Sequence, residues 1–167
     1  AMSERHGLPV VILGWPADEW SVYKPTGWKP DLIGRPFLYG ILDCWTLDVD
    51  KFDRDRGIKL ESMAYEDEWW LKGQDLYRQH LPSRGFVRIG SPDQVDDLIL
   101  MQLESPVPNH IGIYTGDGMM LHHPPGHLSG EHPYVCDQGY YAKCTTAFYR
   151  HRTLMDATKT KAVEDLA

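Results

Sequence analysis

Apolar residues keep a helical spacing between Cys44 and His80 and change to a strand spacing from Phe86 onward, so helices precede the sheet in chain order. A chain divided this way builds an α+β domain, with helices gathered against one side of a sheet whose apolar face they cover. Trp45, Val49 and Phe52 recur at i, i+4 and i+7, while Asp48, Asp50, Asp53, Arg54 and Asp55 fall on the other side; this predicts a helix over 44–56 that stops at Gly57. A second helix is predicted over about 65–80, weakened at Gly73 and closed by Pro82. Strands are predicted at 86–89, 98–103, 110–115, 119–122 and 144–149, with turn chemistry such as Gly116-Asp117-Gly118 between them, so the sheet is mostly antiparallel.

Ahead of these elements, 9–13 reads as a short strand, and Trp15-Pro16, Pro25-Thr26-Gly27 and Lys29-Pro30 break any regular element up to residue 36. Residues 1–33 are therefore an extended N-terminal arm, whose Trp15, Trp20, Tyr23 and Trp28 either pin it to the domain or bind a partner, packing being favoured because aromatic rings bury large areas. The domain proper runs over 34–155, and 156–167 is a polar tail. Ala1-Met2 reads as a remnant of tag removal ahead of a start.

At 167 residues and 42% hydrophobic the chain can bury a core of its own. Its net charge of −7, without a Lys/Arg cluster, excludes a general nucleic-acid binder. No apolar run reaches the roughly 18 residues of a membrane span, and the N-terminus lacks the order of a secretory signal, a pattern expected of a soluble protein. Three cysteines cannot all pair within one chain, so at least one of Cys44, Cys136 and Cys144 stays a thiol. Cys136 and Cys144 read as buried structural thiols, with a bridge between them left open.

Cys44 ends the run Tyr39-Gly40-Ile41-Leu42-Asp43-Cys44 and opens the first predicted domain helix. A thiol attacks only as thiolate, and a helix N-terminus or a nearby imidazolium lowers its pKa. Asp43 is a fitting N-cap, although its negative charge works against the thiolate. His110 opens His-Ile-Gly-Ile-Tyr, where alternation puts His110, Gly112 and Tyr114 on one face. The Gly116-Asp117-Gly118 turn brings 119–122 back beside it, so His122 can hold the ring nitrogen of His110 that faces away from the thiol. His122, His123, His127 and His132 also lie within eleven positions, but Pro124, Pro125 and Gly126 separate them without a helical His pair; His123, His127 and His132 read as a solvated loop rather than a metal site.

These residues resemble the NlpC family of papain-like cell-wall cysteine peptidases, whose nucleophile lies in an Asp-Cys pair opening a helix and whose base begins a His-x-Gly-Ile-Tyr strand. The likeness is closest to the phage-tail branch. Gly34-Arg35-Pro36-Phe37 leading to Gly40-x-x-Asp43-Cys44, Trp69-Trp70-x-x-Gly73-x-x-Leu76-Tyr77, Leu100-Met101-Gln102, Ser105-Pro106-Val107-Pro108-Asn109-His110 and Leu121-His122-His123 carry it over roughly residues 34–152. The resemblance implies a papain-like NlpC-type fold with Cys44 as nucleophile, His110 as general base and His122 as the residue orienting that base. The Cys44 amide is expected first in the oxyanion hole, with Tyr39 a weaker candidate, since the tyrosine of many relatives is Phe37 here. Asp43 and Trp45 are the remaining candidates beside the substrate. Trp45-Thr46 replaces the usual Ser-Gly, and Asp96-Asp97 stands near the usual Pro-Gly-Asp.

By the same likeness the substrate is an amide in the stem peptide of bacterial peptidoglycan, typically the γ-D-glutamyl bond to the diamino acid. The implied setting is the virion tail tip, with other tail-tip proteins as partners, wall opening or tail assembly as the role, and no metal or organic cofactor. Two alternatives stand beside it: a catalytically silent tail-structural protein on the same fold, and a metal-dependent hydrolase built on the histidine loop. Relatives in this branch often carry an upstream metallopeptidase-like domain that this sequence does not include, which is compatible with a whole protein or with part of one.

Overall fold

In the computed structural model, which describes residues 1–134 and 139–155, six antiparallel strands form one sheet in the order β3-β8-β4-β5-β6-β7. They are β3 (Phe86–Ile89), β4 (Leu98–Met101), β5 (His110–Gly116), β6 (Met119–His122), β7 (Gly130–Pro133) and β8 (Thr145–His151). Among the described residues, four α-helices, α1 (Met2–His6), α2 (Cys44–Arg56), α3 (Leu76–His80) and α4 (Tyr140–Cys144), a separate hairpin of β1 (Val10–Gly14) and β2 (Glu19–Tyr23), and three short 3-10 turns accompany the sheet. The expected α+β order holds. No helix among the described residues is long and apolar enough to cross a membrane.

The sheet is apolar on both faces. Leu98, Leu100, Ile111, Ile113, Ala147 and Tyr149 pack with Trp45 and Phe52 of α2, with Trp69 and Tyr77, and with Leu60 and Met63 from the segment after α2. Ile99, Met101, Met120 and Tyr134 form a smaller cluster on the other face, covered in part by Tyr141 and Phe148. Helix α2 spans the predicted residues because both ends are capped: Asp43 accepts from the Thr46 amide, Thr46 Oγ1 accepts from the Asp43 amide, and Gly57 at φ 66° closes the C-terminus. Thr46, in the Trp45-Thr46 pair that stands where the resembling family usually has Ser-Gly, thus completes the capping box.

The single helix predicted over 65–80 is two short pieces, a 3-10 turn Trp69–Lys72 and then α3. Gly73 takes φ 72° and ends the first piece, and Asp75 starts the second by accepting from the Arg78 amide. Strand β8, last in sequence, inserts between β3 and β4 and joins two strands that are neighbours in the chain. Arg150 on β8 pairs with Asp97 at 2.6 Å, while Asp96 accepts from Arg56 at 2.6 Å and lies 2.9 Å from Lys51. The two adjacent acids before β4 therefore have separate cations, one on the sheet and the others on α2.

The arm departs from expectation. It carries α1 and the β1–β2 hairpin, and its rings face solvent: Trp15 is 85% exposed, Trp20 68%, Tyr23 54% and Trp28 51%. Leu13 pairs with Trp20 and Val11 with Val22, and alternation places all four on one uncovered face. What fastens the arm is polar instead: Arg5 forks onto Asp50 at 3.0 and 3.2 Å, Glu4 accepts from Thr26 and Gly27, and Lys29 pairs with Asp53. Asp50 and Asp53 lie on the second half of α2, beyond Cys44 in the helix.

Candidate active site

Cys44 is the first residue of α2, held there by the turn before it. Gly40 at φ 72° lets Leu38 and Leu42 bridge back on each other, and the Gly40 amide donates to Asp43 Oδ2 at 2.8 Å. Asp43 also accepts from the Thr46 amide at 3.0 Å and from the Tyr65 hydroxyl. Both of its oxygens are occupied and the residue is 1% exposed, so Asp43 shapes the turn and presents no free group to a substrate. Trp45, likewise 1% exposed, tilts against Tyr77 and lies under the Arg84 guanidinium. That is a core position, and its replacement of the usual small residue fills space beneath the helix rather than lining a groove.

The Cys44 thiol is buried and lies 3.2 Å from the Tyr77 hydroxyl of α3, with the Ile111 amide of β5 also directed at it. Burial, then the Asp43 carboxylate, push its pKa up to about 12, against the smaller opposing pull of the Tyr77 and Ile111 donors. His110, 1% exposed at the start of β5, is driven down to about 3, mainly by burial and then by repulsion from its histidine neighbours. Both shifts favour a neutral thiol beside a neutral imidazole. Burial thus opposes the thiolate–imidazolium pair expected from the helix start. No hydrogen bond joins Cys44 to His110 among the described residues; the two groups reach adjacent residues of β5, the sulfur at the Ile111 amide and the base one residue earlier.

His110 and His122 do meet. Gly112 pairs with His122 across β5 and β6, so His110 is its diagonal neighbour on the same face, and His110 Nε2 lies 2.9 Å from His122 Nδ1. His110 Nδ1 has no hydrogen-bond partner among the described residues, which leaves it bare on the buried ring. The glycine in His-Ile-Gly-Ile-Tyr makes this possible: a Cβ on Gly112 would come within 2.6 Å of Met120 Sδ and 3.1 Å of His122 Cβ. Gly112→Ala should displace His122 and cost about 1–3 kcal/mol by overpacking, read as a lower urea midpoint together with altered His122 ring resonances; an unchanged midpoint and ring would mean the strand absorbs the methyl.

Tyr39 donates at 3.4 Å to the Glu66 carbonyl and sits edge-on to Tyr65 and Trp70, so its hydroxyl is engaged away from the sulfur. The phenol at the thiol is Tyr77, which the aromatic block in the sequence disguises as core. His132 is also part of the site, with Nδ1 3.0 Å from His122 Nε2. It lies on β7 rather than in a solvated loop, and His123, expected in the same loop, is fully buried with its ring edge-on to Phe37. No apolar alternation marks β7 in the sequence, since Gly130-Glu131-His132-Pro133 is polar apart from a strand-ending proline. Among the described residues no group of three His, Cys, Asp or Glu side chains is arranged to hold a metal ion. Cys144 is a free, half-buried thiol, and Cys136 lies outside the described residues.

The model of the NlpC/P60 family matches residues 34–153. Tail tip assembly protein K of Escherichia phage lambda is 37% identical over 152 residues, covering 88% of this chain and 74% of that protein. The protein of the same name from Escherichia phage N15 is 34% identical over 147 residues, and the match spans 87% of this chain but only 59% of that longer relative. The crystal structure of an NlpC/P60 family protein from Bacillus cereus shares the fold, with a TM-score of 0.51 at 19% identity over 81% of this chain and 45% of that one. A cysteine opening a capped helix against a strand that begins with a histidine-paired histidine is thus set in a domain that the family model matches over most of its length, and the chain belongs to the NlpC/P60 family.

Proposed function

We propose that this chain is a cysteine peptidase of a phage tail, hydrolysing an amide bond in the stem peptide of bacterial peptidoglycan. The observation that carries the reading is the constellation at the start of β5: Cys44 opening α2 with its sulfur at the Ile111 amide, and His110 joined at 2.9 Å to His122 with Nδ1 left bare. In the reaction the thiol leaves Tyr77 and its sulfur attacks the carbonyl carbon while its proton passes to His110 Nδ1, so ionisation accompanies attack instead of preceding it. Asp43 takes the Thr46 amide, and the earlier amides of the α2 start, Cys44 first, hold the oxyanion. His110 then protonates the leaving amine as the C–N bond breaks, and water activated by the same ring clears the thioester. Both lambda-type relatives are named tail tip assembly proteins, which supports a place at the virion tail with other tail-tip proteins as partners. The uncovered apolar face of the hairpin is a surface such a partner can bury.

A second reading, a tail-assembly protein that keeps the fold without the chemistry, draws on one specific observation: the thiol is bonded to Tyr77 and its pKa is pushed up to about 12. Digestion of defined muropeptides followed by mass spectrometry separates the two. Cleavage at one stem-peptide amide, lost in His110→Ala, is the expected result. No cleavage by protein that shows a cooperative unfolding transition would leave the assembly reading in its place.

A further inference from the structure

Behind the two histidines of the proposed mechanism stands a third, and the line they form has only two possible proton orders. His110 Nε2 faces His122 Nδ1 at 2.9 Å, and His122 Nε2 faces His132 Nδ1 at 3.0 Å. Strand register explains the line: Gly112 opposes His122 and Gly130 opposes His122 on its other side, so each histidine is the diagonal neighbour of the next on one face of the sheet. The rings stand edge to face, His122 and His132 at 4.8 Å and 89°, and Tyr141 closes on His122 from α4 at 4.6 Å and 81°. The inner two rings are buried and His132 is exposed, so the line runs from the interior to solvent.

In one order each inner ring donates outward, His110 Nε2–H to His122 and His122 Nε2–H to His132, and His110 Nδ1 is a bare acceptor. In the reverse order His132 donates inward and the last proton sits on His110 Nδ1, a buried donor with no partner among the described residues. The reverse order therefore leaves a desolvated N–H unsatisfied and blocks the atom that must take a proton from a thiol.

We propose that His132 is a positioning residue: by accepting at Nδ1 it fixes the tautomer of His122, and through it holds His110 with Nδ1 unprotonated. Its consequence for rate rests on the peptidase reading; the tautomers themselves do not. His132 touches neither the sulfur nor the base, and sets only which way the protons point.

The test uses the full chain, labelled with nitrogen-15, and long-range ring correlations at neutral pH. His110 and His122 are each expected to carry the proton on Nε2. His132→Phe should abolish the single tautomer of His122, and lower kcat on a muropeptide about threefold to tenfold with KM unchanged, the size of one lost hydrogen bond. His132→Asn, whose Oδ1 occupies the place of Nδ1, should restore the tautomer and bring kcat back to within about twofold. A proton on His110 Nδ1 in the unaltered chain, or an unchanged His122 tautomer in His132→Phe, overturns the proposal. Should the unaltered chain cleave no muropeptide, the peptidase reading fails while the spectra still decide the role of His132.

Discussion

Cys44→Ala is expected to abolish release of amino groups from purified peptidoglycan, a fall on the order of 10⁴-fold or more, because in the proposed mechanism the Cys44 sulfur alone forms the thioester. The fold should survive at some cost. Cys44 is packed among core residues and bonded to Tyr77, so alanine strands a buried phenolic hydroxyl, a loss of about 1–3 kcal/mol. Cys44→Ser keeps a partner for that hydroxyl and should be as inactive while unfolding closer to the unaltered chain. The two variants together separate lost chemistry from lost structure. Iodoacetamide gives a second readout: a thiol with its pKa near 12 is almost wholly protonated at neutral pH, so native Cys44 should react slowly and speed up on unfolding. Fast native alkylation would mean that the thiol is ionised at rest after all, and full peptidase activity in Cys44→Ala would remove the mechanism.

The second large effect is on stability in mild acid. His110 is held down to about 3 and His122 to about 4, burial being the first cause for both. In the unfolded chain each titrates near 6.5. Between those values the unfolded state binds more protons than the folded one, so the stability these neutral rings contribute is present above about pH 6.5 and is lost as pH falls toward the folded values. From pH 7 to pH 5 the loss is roughly 2 kcal/mol per ring, about 4 kcal/mol for the pair. Most carboxylates titrate below that window; Asp48, raised well above the usual carboxylate range by burial, opposes the loss, while His123 and His151, lowered by burial, add to it. Against a typical stability of about 5–15 kcal/mol this is a large fraction. Urea midpoints measured at both pH values should diverge strongly for the unaltered chain and much less for a His110→Ala, His122→Asn double variant. Equal divergence in both would assign the acid sensitivity to other groups.

Much of the fold is legible where local rules and burial agree. Helix α2 is readable to its ends because Asp43, Thr46 and Gly57 cap it locally and its apolar residues keep one face. Strands β5 and β6 are readable because alternation and a tight turn coincide, and they carry His110 and His122 to the same place. Legibility fails where a distant contact overrides a local pattern. Apolar spacing over 65–80 favours one helix, but Gly73 and Asp75 break it so that Trp69 and Tyr77 can both reach the core. The aromatics of the arm were expected to bury themselves, yet hairpin pairing fixes Leu13, Trp20 and Val22 on a face that nothing among the described residues covers.

Residue types and spacing by themselves determined the helix-then-sheet order, the capped cysteine, and the pairing of His110 with His122, because each follows from backbone periodicity over a few residues. Tertiary structure alone decided the state and company of those groups. Only the packed core shows that the thiol lies buried against Tyr77, that Asp43 and Trp45 are used up in holding the helix start, and that His132 stands behind His122. Burial and contacts across strands are set by the assembled sheet, and no short stretch of sequence contains the desolvation that moves a proton.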